Sequence, residues 1–135
     1  MDTIAECSCG SVRVTINGNG MPLSVVACHC IACQRRTGSV FGVGAYYPAE
    51  QVMTAGQVKL YTRGTNAGHT FTSYFCPACG TSVYWESGKN PGLLGVAVGA
   101  IANPQFPAPV RSVWEQSQHP WVRIEAAVQH FSKGR

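Results

Sequence analysis

Seven cysteines stand at positions 7, 9, 28, 30, 33, 76 and 79 of a 135-residue chain. They form three clusters: Cys7-Ser8-Cys9-Gly10, Cys28-His29-Cys30-Ile31-Ala32-Cys33 and Cys76-Pro77-Ala78-Cys79-Gly80. Thiolates at such spacings bind metal, and zinc is the ion they suit. A C-x-x-C pair in a tight turn presents two sulfurs to one ion, and the glycine after it accommodates the positive φ of such a knuckle. A C-x-C pair in extended chain puts both sulfurs on one face, so Cys7 and Cys9 share a face, as do Cys28 and Cys30, while His29 points away. Cys28, Cys30 and Cys33 lie within six residues and suit one three-sulfur site with an open position. Cys7, Cys9, Cys76 and Cys79 then suit a closed four-sulfur site that contributes folding free energy directly.

Other divisions of the sulfurs stay open. A disulfide framework fits poorly, because seven is odd and C-x-C pairs bridge badly. A single ribbon-type site from Cys30, Cys33, Cys76 and Cys79 would leave Cys7, Cys9 and Cys28 idle. His29 or a distant histidine could complete the second site if the chain bends. Off the metal, His29 either steadies a ligand or is a partly buried histidine apart from the site.

The elements that must position these clusters are strands. Fifteen Gly and eight Pro punctuate short runs rich in β-branched and aromatic residues. The pattern predicts strands over Ser11–Ile16, Pro22–Cys28, Val40–Tyr47, Val58–Tyr61, His69–Phe75, Ser82–Trp85, Leu93–Val98 and Val110–Glu115. Val12, Val14 and Ile16 share one face; Phe71, Ser73 and Phe75 share another. Ile31–Thr37 reads as a short helix stopped by Gly38, and a further turn is expected near Pro120. The expectation is a mostly-β single domain over residues 1–135 with short helices.

Composition narrows the function. Hydrophobic residues make up 45%, which is globular, and charged residues only 12%, about half the usual share of roughly 25%. So few charges are compatible with a homo-oligomer. The net charge of +4 is scattered, with Arg35-Arg36 the one adjacent basic pair, so no nucleic-acid-binding stripe is visible. Residues 1–6 carry neither a basic nor an apolar leader pattern, and Gly92–Ala102 is too short and glycine-rich to span a bilayer. The expected setting is the cytoplasm, with no membrane partner. In a reducing compartment clustered cysteines act as ligands rather than staples.

Read together, CxCG near the N-terminus, then CHCxxCQRRTG, then FCPxCGT resemble the glutathione-dependent formaldehyde-activating enzyme family, a domain type also found in centromere protein V. The resemblance runs from about Cys7 to Ser82 and more loosely through Pro104 to Trp121. It implies a β-tent-like fold and a zinc-dependent carbon–sulfur lyase-like activity on a small-thiol, glutathione-type adduct of an aldehyde. It also implies two Zn2+ per chain: a structural ion on Cys7, Cys9, Cys76 and Cys79, and an active-site ion on Cys28, Cys30 and Cys33.

Three thiolates leave a Zn2+ site with a net charge of about −1, which suits binding a fourth thiolate better than activating water. Arg35 and Arg36 follow the triplet. Either can grip a substrate carboxylate or offset the site's charge, or both can be a solvated helix face. Ser39 can donate a hydrogen bond to substrate or simply complete a turn. His69, His119 and His130 have no supporting context, and the aromatic residues Tyr46, Tyr47, Phe71, Phe75, Trp85, Trp114 and Trp121 suit a core, some of them walling a cleft. The competing reading is a zinc-stabilised binding module without catalysis.

Overall fold

The computed structural model describes residues 1–18, 21–127 and 129–134. Eleven strands are described: β1 (Thr3–Glu6), β2 (Arg13–Ile16), β3 (Ser24–Cys28), β4 (Gly42–Pro48), β5 (Val52–Ala55), β6 (Lys59–Gly64), β7 (Thr70–Phe75), β8 (Ser82–Ser87), β9 (Leu93–Ala97), β10 (Arg111–Val113) and β11 (Gln129–His130). Two α-helices accompany them, α1 (Ile31–Thr37) and α2 (Val98–Ile101), with 3-10 turns at Ala49–Gln51 and Glu115–Ser117. The fold is mostly β with short helices, as the sequence predicts.

The strands form a three-stranded sheet ordered β1-β2-β5 and an eight-stranded sheet ordered β11-β10-β3-β4-β9-β8-β7-β6. Alternation decides what lies between them. Val12, Val14 and Ile16 are fully buried, while Arg13 between them is exposed. Facing them from the large sheet are Val25, Ala45, Tyr47, Val83 and Val96, and these residues make one core cluster. The two sheets thus lean together over shared apolar side chains, and the β-tent-like arrangement follows.

β1 and β5 were not legible as strands. β1 is four residues with one fully buried side chain, Ala5. β5 is almost wholly exposed and exists because it pairs antiparallel with β2. Neither has an apolar rhythm to read, so tertiary pairing overrides local propensity. The turn near Pro120 is a single turn, with the Val122 N–H donating to His119 O at 3.0 Å.

The second face of the large sheet positions chemistry. Residues directly opposite across antiparallel strands point the same way. Cys28 opposes Gly42, Tyr46 opposes Gly95, Gly95 opposes Trp85, Trp85 opposes Ser73, and Arg63 opposes Phe71. By strand alternation these residues lie on one face, and Val43, Ala45 and Tyr47 lie on the other, in the core. Among the described residues no helix is long and apolar enough to cross a membrane.

Candidate metal centres

Two turns of nearly identical construction gather four sulfurs. The Cys7 N–H donates to Val12 O at 3.1 Å, and the Gly10 N–H closes the knuckle on Cys7 O at 3.0 Å. Likewise the Cys76 N–H donates to Thr81 O at 3.0 Å, and the Gly80 N–H returns to Cys76 O at 2.9 Å. Gly10 and Gly80 have φ of 82° and 79°, which a residue with a Cβ adopts only under strain. The sulfurs of Cys7, Cys9, Cys76 and Cys79 all lie within 4.8 Å of one another.

The surroundings favour thiolates. The Val12 N–H donates to the Cys7 sulfur at 3.2 Å, and the N–H groups of Ala78 and Cys79 each donate to the Cys76 sulfur at 3.4 Å. The Ser11 hydroxyl lies 3.1 Å from the Cys9 sulfur and 3.2 Å from that of Cys76, and it holds the Cys76 thiol below its usual range. The Thr81 hydroxyl, 3.3 Å from the Cys79 sulfur, helps draw that thiol down to about 5. Four soft donors, two of them (Cys76 and Cys79) drawn toward the ionised form, fit a tetrahedral thiolate-bound ion.

The second group is Cys28, Cys30 and Cys33, again with all sulfurs within 4.8 Å. Cys28 ends β3, and Cys30 caps α1, its sulfur accepting the Cys33 N–H at 3.3 Å. Gly38 ends the same helix with φ of 74°, its N–H donating to Gln34 O at 2.8 Å. Hydrogen bonding to Cys28 and then to Cys33 draws the Cys30 thiol down to about 2. Cys28 is pushed up by hydrogen bonding to Cys30 and Cys33, and by burial. The trio therefore holds a thiolate readily and shares protons among its sulfurs. Among the described residues no fourth His, Cys, Asp or Glu joins them. All seven cysteines are free thiols, and Cys30 and Cys33 belong to a different cluster from Cys76 and Cys79.

His29, the residue after β3, is fully buried and stays out of the sulfur group, with Nε2 2.9 Å from the Ser112 hydroxyl. Burial lowers its pKa and keeps it neutral. The Gln34 side-chain amide, which sequence reasoning passed over, donates to His29 O at 2.9 Å and to Ser117 O at 3.2 Å. Its Oε1 lies 3.0 Å from His119 Nε2, so one residue of α1 ties the cysteine segment to the chain beyond β10.

The wall beside the trio is aromatic and cationic. The Arg36 guanidinium lies 4.3 Å from the centre of the Trp85 ring, Trp85 stacks on Phe71 at 5.9 Å, and the Arg63 guanidinium lies 4.5 Å from the centre of Phe71. The Trp85 indole N–H donates to the Tyr46 hydroxyl at 3.2 Å. Burial raises the Tyr46 pKa and keeps its proton in place. Arg36 also borders a cavity of about 920 Å3, lined with it by Cys7, Ser39, Phe41, Gly42 and Thr81 among others; the sulfur trio and the Trp85 and Phe71 rings do not line it. Arg35 is exposed and does not line it. The alternation of Phe71 with Ser73 was legible in the sequence; Arg63, at the far end of the ladder, had no local signal.

The sequence profile described as glutathione-dependent formaldehyde-activating enzyme matches residues 2–117. The chain belongs to this family. Relatives include proteins of Penicillium rubens, 29% identical, and Colletotrichum graminicola, 30% identical, both carrying the name of a glutathione-dependent formaldehyde-activating enzyme. Each alignment covers 85% of this chain and 64% of the relative, so the chain spans just under two thirds of their length. A crystal structure of a Rhodobacter sphaeroides protein is similar, with a TM-score of 0.59 and 27% identity, covering 76% of this chain and 92% of that one. Both cysteine clusters stand inside the matched region.

Proposed function

We propose that the chain is a zinc-dependent carbon–sulfur lyase-type enzyme acting on the adduct of a small, glutathione-type thiol with an aldehyde. In this reading residues 1–135 work as one cytoplasmic domain with two Zn2+. Cys7, Cys9, Cys76 and Cys79 hold the structural ion, and Cys28, Cys30 and Cys33 hold the reactive one. The single observation that carries the reading is the convergence of three sulfurs with no fourth protein ligand among the described residues. Cys28, Cys30 and Cys33 would hold a Zn2+ that, when bound, would supply a site for a thiol sulfur and lower that thiol's pKa.

The overall reaction balances simply. In the forward direction the adduct's carbon–sulfur bond breaks, its hydroxyl oxygen becomes the aldehyde carbonyl, and the hydroxyl proton ends on the departing thiol. The chain's own residues supply the setting. Arg36, half-buried against Trp85, offsets the charge of the sulfur trio and is the better placed of the two neighbouring arginines to meet substrate. Ser39 lines the same cavity, where its hydroxyl can hydrogen-bond substrate, and Arg35 lies next to Arg36 in α1. Tyr46 receives the Trp85 N–H and keeps its own proton available for the substrate oxygen.

The test uses purified protein with its metal content measured. Two ions per chain are expected, and the visible spectrum of cobalt-substituted protein should change on adding glutathione. A spectrum unmoved by glutathione and other small thiols would overturn the enzyme reading in favour of a zinc-stabilised binding module.

A further inference from the structure

The ladder Arg63–Phe71–Trp85–Arg36 is more than a charge screen. Both guanidiniums are half-buried against aromatic faces, and neither forms an ion pair among the described residues. Arg36 makes no hydrogen bond there, and Arg63 makes one long contact, from Nη1 to Gly64 O at 3.5 Å. Each guanidinium carries five donors in a fork that matches a carboxylate. Half-buried guanidiniums with idle donors are poised to take a carboxylate. The other well-formed arginine pairing shows the contrast: exposed Arg13 meets Glu6 with two hydrogen bonds, at 2.9 and 3.2 Å.

Sheet geometry fixes the spacing. Arg63 opposes Phe71 on β6–β7, Phe71 is diagonal to Trp85 on β7–β8, and Arg36 comes down onto Trp85 from α1. The two cations therefore stand at opposite ends of an aromatic floor. Arg36 stands beside the trio, because its guanidinium and the Cys33 Cβ both border Gly42, and the ladder runs from Arg36 to Arg63 along one face of the sheet. The aromatic pair between them holds the guanidiniums apart; Trp85 is buried, and half-buried Phe71 is the ring of the pair open to the middle of a ligand.

We infer that Arg36 and Arg63 form a two-point anion clamp, with Arg63 a specificity-determining residue that selects thiols bearing an anionic group at each end. The assignment of Arg63 rests on the reading of the Cys28, Cys30 and Cys33 site as a thiol site. A thiol with a single anionic group engages one arginine, and a neutral thiol engages neither.

Calorimetric titration of the zinc-loaded protein tests this with two probes: S-methylglutathione, which has two carboxylates and no free thiol, and its diester. Arg63→Gln should weaken the dicarboxylate by about tenfold, the scale of one lost charge-assisted pair, and the diester by less than twofold. Arg63→Lys, which keeps the charge without the fork, should recover part of the loss. Lys59→Gln, which removes the same charge from an exposed position of the same strand, should change neither. Equal losses on both probes, or no loss on either, would overturn the clamp. If the wild type binds neither probe yet still exchanges thiol at cobalt, the clamp alone fails. If thiol exchange is absent as well, the underlying reading fails with it.

Discussion

Trp85 is an indole accommodated by two missing side chains. A Cβ at Gly95 would collide with the indole Nε1, and one at Gly44 would meet its six-membered ring. The two glycines sit in adjacent strands of the large sheet, where glycine normally weakens a strand, so close approach is the reason for them. That clearance lets the ring lie low enough to carry Arg36 and to stack on Phe71. Gly95→Ala should displace the indole at a cost of about 1–3 kcal/mol, as overpacking does. Urea unfolding would measure the loss. A shift in tryptophan emission, with weaker binding of carboxylate ligands, would show that the floor had moved.

At the scale of elements, the short strand β11 depends on contacts beyond its two residues. It pairs in parallel with β10, which itself pairs with β3, the strand that ends in Cys28. The Phe131 N–H donates to Ser112 O at 2.9 Å, and the Glu115 N–H donates to Phe131 O at 3.0 Å. His130 adds an ion pair, with Nδ1 2.7 Å from Glu115 Oε2 and Nε2 3.0 Å from Ala127 O. Since a carboxylate and a carbonyl both accept, both ring nitrogens must donate, and the imidazolium is the form that fits. Hydrogen bonding to Glu115 accordingly raises the His130 pKa. Burial pushes the Glu115 carboxyl up, but hydrogen bonds from His130 and Ser112 outweigh it and the net shift is down.

The signs give a pH window for this contact. The raised His130 stabilises fully below its ordinary value of 6.5, and that contribution is lost as pH rises through its folded value. The lowered Glu115 contributes above its ordinary value of 4.5, and that part is lost as pH falls through its folded value. His130→Gln should therefore lower the melting temperature most between those two values and hardly at all well above them. The pair is partly exposed, so the effect should be small and should shrink with added salt. A melting difference that grows with alkaline pH would contradict the assignment.

At the scale of the whole molecule, the four-sulfur cluster joins the two sheets. Cys9 and Cys76 are 67 residues apart in sequence, yet their sulfurs lie 3.6 Å apart. The cluster pins the turn between β1 and β2 of the small sheet to the turn between β7 and β8 of the large one. Ser8 and Thr81 reinforce it, with the Ser8 N–H donating to Thr81 Oγ1 at 3.1 Å. A clip that closes a long loop removes much chain entropy from the unfolded state, and metal binding there is folding free energy. The three-sulfur cluster closes only a short local segment. Cys76→Ser should lose one metal ion and lower the thermal midpoint strongly, whereas Cys28→Ser should lose one ion with a much smaller change. Metal analysis and calorimetry on both variants check the contrast, and equal destabilisation would show that the two clusters share the structural load.

The cysteine spacing by itself determined what each knuckle can be, because C-x-x-C-G and C-x-C are local: the turn, the glycine and the strand alternation act within a few residues. The same locality made α1 legible from Ile31 to Gly38 and the buried face of β2 legible from Val12 to Ile16. The tertiary structure alone decided which elements meet. β5 is a strand only because β2 had a free edge, and Arg63 joins the Phe71–Trp85 ladder only because β6, β7 and β8 align in register. His130 finds Glu115 through the pairing of β11 with β10. Such meetings depend on hydrogen-bond register and shared burial across tens of residues, and no short-range pattern of side chains encodes that.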